Sequence, residues 1–78
     1  MFKLIVAQVD KNLFQGEVAQ VTCPGADGDL TILPHHSALV TPLRPGELKI
    51  VDDKGVETRI PVASGVLEVG GNEATIIL

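Results

Sequence analysis

Glycine, proline and Asp/Asn clusters interrupt this chain roughly every ten residues, which leaves no room for a helix of ordinary length. The interruptions fall at Asp10-Lys11-Asn12, Pro24 to Gly28, Pro42 to Gly46, Asp53-Lys54-Gly55 and Gly70-Gly71-Asn72. Between them run stretches rich in Val, Ile, Leu and Thr, and none combines helical spacing with caps. The pattern predicts an all-β chain, a two-layer antiparallel β-sandwich nearly free of helix.

Strands are expected at Phe2 to Val9, at Leu13 to Cys23 with a bend or bulge at Gly16, and at Asp29 to Leu33, which Pro34 ends. Ala38 to Leu43 follows, then Glu47 to Asp52, whose polar–apolar alternation marks one wet and one buried face. Asp53-Lys54-Gly55 turns the chain into Val56 to Val62, and Gly70-Gly71-Asn72 joins Gly65 to Val69 with Glu73 to Leu78. The first strand is unusual in being apolar on both sides: Phe2, Leu4 and Val6 alternate with Ile5, Ala7 and Val9. A sandwich strand needs one apolar face only, so the second is expected to lie under a partner.

At 78 residues the chain is one domain, residues 1–78, and a chain of this size buries only about 60% of its unfolded surface. Cys23 is the single cysteine, so no disulfide is available within the chain, and a lone cysteine reads as a small buried apolar residue. The net charge of −4 and only six scattered Lys and Arg argue against nucleic acid, as do Phe2 and Phe14 standing as the sole aromatic residues. No apolar run approaches the ~20 residues a membrane span needs.

Several residues invite a catalytic or metal-binding reading, and each meets a simpler one. His35 and His36 are adjacent, so on an extended segment they point to opposite faces and share a metal poorly. Asp27-Gly28-Asp29 lacks the alternating ligands and closing Glu of a calcium loop. The paired glycines precede neither a Lys-Ser/Thr pair nor a helix N-terminus, so they cradle no phosphate. Ser37 beside His36 has no orienting carboxylate, and Asp52-Asp53 lies in an exposed hairpin. The expectation is a chain with no catalytic residues, no metal and no cofactor, which acts by gripping other proteins. A free-standing small-molecule or carbohydrate-binding β-sandwich is the alternative, disfavoured by the absence of Trp and Tyr.

An ordered set of motifs is more specific. Leu13-Phe14-Gln15-Gly16-Glu17-Val18 is followed by Pro24-Gly25 and by the stretch Gly28-Asp29-Leu30-Thr31-Ile32-Leu33-Pro34-His35-His36-Ser37-Ala38-Leu39. Leu43-Arg44-Pro45-Gly46 and Gly65-Val66-Leu67-Glu68-Val69 with Asn72 complete it. This succession closely resembles the N-terminal β-sandwich domain of the epsilon subunit of F-type ATP synthases, collinearly over the whole chain. Ser64 departs from the glycine usual before Gly65.

The resemblance implies a non-catalytic accessory subunit of the central stalk, packed against the gamma subunit and touching the polar loops of the membrane rotor ring of c subunits. It would lie on the cytoplasmic side of the energy-transducing membrane, peripheral to it, and couple ion-driven rotation to ATP synthesis. By matching positions, the rotor-ring contact would fall at Asp29, Leu30 and His36, and the gamma contact at Gln8, Thr41 and Glu68. Most family members continue into a C-terminal helical hairpin that restrains ATP hydrolysis. With nothing after Leu78, this chain is expected to couple without inhibiting and to bind no ATP.

Overall fold

Alternation decides which side of each strand is buried. In β1 (Phe2–Gln8), Phe2, Leu4 and Val6 are buried, whereas Lys3 is exposed and Ile5 and Ala7 are half-buried. The computed structural model describes all 78 residues and continues the pattern through β2 (Lys11–Val18), β3 (Gln20–Gly25), β4 (Gly28–Ile32) and β5 (Leu39–Leu43). After these come β6 (Gly46–Val51), β7 (Glu57–Val62), β8 (Gly65–Gly70) and β9 (Glu73–Ile77), and there is no helix. The expected all-β sandwich is what forms.

The hydrogen-bonded order divides into two layers, β2-β1-β9-β8-β5 and β4-β3-β6-β7, linked at their margin by the single pairing of Gly25 with Leu43. Both layers contribute to one core of fifteen buried apolar residues, among them Phe2, Leu4 and Ile76 from the first layer and Val21, Leu48 and Ile50 from the second. Each such large apolar side chain, taken from water into a packed interior, stabilises by about 1.5–3 kcal/mol. Close approach of neighbouring strands within each layer also demands glycine at two places. A Cβ on Gly65 would stand 2.5 Å from the Ile77 carbonyl oxygen, and one on Gly25 2.7 Å from that of Gly28. Ser64 is exposed in the bend before Gly65, where a side chain is tolerated.

Two features differ from the sequence expectation. The long strand Leu13 to Cys23 is two strands, broken at Ala19, where the chain leaves the first layer for the second. The Ala19 amide donates to the Val51 carbonyl at 2.8 Å, so the corner costs no unpaired amide. Gly16 does not bend the chain but sits in register opposite Leu4; the bulge lies earlier in β2, where Val6 faces Phe14 but Ala7 faces Asn12, leaving Leu13 extra. The second difference is that β1 and β9 pair in parallel, Lys3 with Glu73 through Ala7 with Ile77, within a sheet otherwise antiparallel.

The registers also define two ends. Phe2 opposite Val18, Gln20 opposite Val51, and Leu39 opposite Val69 gather the Pro34–His35, Asp53–Lys54 and Gly71–Asn72 turns at one end. Gln8 opposite Lys11, Gly25 opposite Gly28, and Gly46 opposite Val62 gather the remaining turns at the other.

Candidate docking faces

On the outer side of the first layer the registers line up a row across four strands: Ala7, Ile77, Val66 and Pro42. The adjacent row is Ile5, Thr75, Glu68 and Val40. Val40 is 68% exposed, Ile77 48% and Val66 44%, so this face offers contiguous aliphatic surface to solvent, with Glu68 inside it. β1 therefore does present a second apolar side, through Ile5 and Ala7. Val9 is no part of it, since it is fully exposed in the β1–β2 turn.

The three residues expected at a gamma contact do not share this face. Glu68 lies on it. Thr41 stands opposite Leu67, on the core side of β5, half-buried, with its Oγ1 donating to the Pro42 carbonyl at 3.2 Å. Gln8 ends β1 and lines a shallow hollow with Pro61, Ala63, Ser64 and Leu78.

Asp29 and Leu30 stand together near the start of β4. The Asp29 carboxylate accepts from Arg44 Nη2 at 3.0 Å, while Arg44 Nη1 donates to the Gly25 carbonyl at 2.7 Å, bracing the β3–β4 turn. Leu30 is half-buried against the core. His36 is not brought to them: β4 runs extended between, spanning about 10 Å from Asp29 to Ile32 at ~3.3 Å per residue, so His36 lies at the opposite end of the sandwich. Its backbone N–H closes a turn onto the Leu33 carbonyl at 3.2 Å, and its ring Nδ1 donates to the Ser37 carbonyl at 2.8 Å.

The outer side of the second layer is of opposite character. Its central row is Thr31, Thr22, Lys49 and Arg59, flanked by Glu47 and Glu57. Arg59 donates to Glu47 at 3.0 Å and to Glu57, Lys49 sits 3.7 Å from Glu57, and the Thr22 and Thr31 hydroxyls share a 2.9 Å hydrogen bond. The Arg59 hydrogen bond holds the Glu57 carboxyl below the usual carboxylate range, and the bonds from Glu47 and Glu57 hold the Arg59 guanidinium above its own.

Among the residues that tempt a catalytic reading, His36 bonds the Ser37 carbonyl, so no His–Ser hydroxyl pair forms. Nowhere do three His, Cys, Asp or Glu side chains converge. Cys23 is buried opposite Leu30, and desolvation pushes its thiol up to about 12.

Fold and faces together define a small all-β sandwich module with one apolar and one ion-paired outer surface. The chain belongs to the ATP synthase, Delta/Epsilon chain, beta-sandwich domain family, which it matches over residues 1–78. It is 43% identical over 72 residues to an ATP synthase epsilon chain of Bordetella petrii, covering 92% of this chain and 51% of that protein. An ATP synthase epsilon chain 2 of Burkholderia orbicola is 42% identical over 76 residues, with 96% and 50% covered. The chain thus spans about half the length of the curated relatives it matches. Its fold is shared with a chain of the Euglena gracilis mitochondrial ATP synthase OSCP/F1/c-ring structure, with a TM-score of 0.89 at 24% identity over 95% of this chain and 48% of that one. A chain of the Tetrahymena thermophila mitochondrial ATP synthase central stalk/c-ring structure gives 0.80 at 21% identity, over 96% and 60%.

Proposed function

We propose that this chain is a non-catalytic central-stalk subunit of a rotary F-type ATP synthase, docking on the gamma subunit and the membrane rotor ring to couple ion-driven rotation to ATP synthesis. The observation that carries the reading is the aliphatic row Ala7, Ile77, Val66 and Pro42 on the outer face of a sheet whose other face already forms the core. A sandwich has no internal use for that second apolar face, and contiguous exposed apolar surface marks an interaction site. The kinship with ATP synthase epsilon chains supplies the partner, and gamma is assigned to this face with Glu68 within it.

The ring is assigned to the end carrying Asp29 and Leu30, where a polar turn meets polar loops without deep desolvation. Exposed charges at such a joint are individually worth only about 0–1 kcal/mol, so Leu30 carries more of the contact than Asp29. His36, at the far end, is the competing orientation. No helix of the structure is long and apolar enough to cross a membrane, and in this reading the module reaches the membrane only through the ring, on its cytoplasmic side.

The test uses the chain assembled with gamma and the ring. Val66→Asp should lower co-purification of gamma at least about tenfold, as removal of a central interface residue does, and a cysteine at position 29 should crosslink to the ring loops. Undiminished gamma binding would remove the apolar face from the interface. Crosslinks from positions 36 and 53, with none from 29, would show that the sandwich stands the other way up.

A further inference from the structure

Two residues other than glycine adopt a left-handed backbone: His35 at φ 62° and Asn72 at φ 56°. Side chains of L-residues disfavour this region, and asparagine tolerates it better than most. The two stand in different turns, 37 positions apart, yet they are bonded directly. The His35 backbone N–H donates to Asn72 Oδ1 at 2.7 Å. The other end of the same carboxamide, Nδ2, donates to the Met1 carbonyl at 3.1 Å, and the Asn72 carbonyl accepts from the Lys3 N–H at 3.4 Å.

We infer that Asn72 is the positioning residue of the His35–His36 loop, a joint that locks the loop to the start of β1 and so fixes how His36 is presented. The chemistry requires a short primary amide. Aspartate keeps the acceptor for His35 but has no donor for Met1, and alanine keeps neither. Held left-handed by Asn72, His35 sets the direction in which the chain enters His36. The His36 ring is then committed through Nδ1 to the Ser37 carbonyl, an acceptor, so the neutral ring carries its proton on Nδ1 and Nε2 remains its uncommitted nitrogen. The same joint reaches β1, which carries Ile5 and Ala7 of the apolar face. One side chain thus connects the loop at the end of the sandwich with a strand that borders its docking face.

The positioning claim concerns the isolated chain; only its consequence for partner contact rests on the docking reading. Hydrogen exchange and ring nitrogen shifts of the isolated chain separate the two. In Asn72→Ala, and in Asn72→Gly, which keeps the left-handed backbone without strain, the His35 amide should exchange at least about tenfold faster while core amides of β8 keep their protection. The His36 ring nitrogens should shift in both variants. Asn72→Asp should retain protection at His35 and lose the Met1 connection, seen as shifted Phe2 and Lys3 amides. Unchanged His35 exchange and unchanged His36 nitrogens in the glycine variant overturn the inference. A cysteine at position 36 that crosslinks to the ring in the wild-type assembly reverses the docking orientation and leaves the joint standing, because exchange in the isolated chain decides it.

Discussion

Ala7, Ile77, Val66 and Pro42 cross the outside of one layer, and Thr31, Thr22, Lys49 and Arg59 cross the outside of the other, on the same pleat and at the same spacing. The second row meets its own needs: each cation has a carboxylate within reach and the threonines bond each other. Removing that face from water would strip solvent from paired charges for little return. The first row meets nothing of its own and gains by being covered. The contrast teaches that the docking side of a small sandwich is recognised by what its groups lack, rather than by which groups are present. Glu68 is the only carboxylate within the apolar rows and has no ion-pair partner.

The largest effect should separate neighbours on one strand. Leu67, wholly buried, and Val66, on the opposite face of β8, are adjacent in sequence. Leu67→Ala should cost about 2–5 kcal/mol in denaturant unfolding, whereas Val66→Ala in the isolated chain should stay within about 0.5 kcal/mol. Equal losses would mean that the outer row is already covered and the contrast between the faces is lost.

An effect confined to alkaline pH, and small within the first unit above 9, tests the closed core between the faces. Because folding raises the Cys23 thiol from 9.0 to about 12, the unfolded chain gives up its proton first as pH rises. The stabilisation is complete below about pH 9 and is lost toward pH 12, at a slope of about 1.4 kcal/mol per pH unit. Cys23→Ala should lack this slope while losing a constant amount to the cavity. Parallel alkaline profiles for the two proteins would show that water reaches the thiol.

The smallest effect belongs to the charged face. Folding lowers the Glu57 carboxyl, so its contribution is present above the usual carboxylate range and is lost as pH falls through the lowered folded value. Wild type and Glu57→Gln should therefore converge in acid, and converge at neutral pH when salt is raised to about 1 M. A difference that survives high salt would mean this face is less solvated than its exposure implies.

Most of this layout was legible in the residues. The two sides of β1 follow from strict alternation, and Gly70-Gly71-Asn72 and Asp53-Lys54-Gly55 announce their hairpins. The corner at Ala19 was not legible, since no glycine or proline marks it and Val18 and Val21 continue the apolar run; what bends the chain is a long-range bond to Val51. Glu68 could be placed on a face only once the pairing with Val40 and Thr75 was known. The separation of Asp29 from His36 was implicit in the sequence, because a strand of five residues cannot bring its two ends together. Thr41 was placed at a contact by matching positions, yet its register with Leu67 turns it inward.

The parallel pairing of β1 with β9 has a consequence for how the molecule comes into being. Of the nine strands β1 is made first and its partner Glu73–Ile77 last, with Lys3 and Glu73 side by side in the finished sheet. Until β9 arrives, β1 has only β2 beside it, β5 and β8 have nothing to join them to β1, and the first layer cannot close over the second. The first layer must therefore wait, unclosed, for β9. Such non-local closure makes folding slow for a chain of this size. Through that interval the side chains destined for the core stand exposed alongside the aliphatic row.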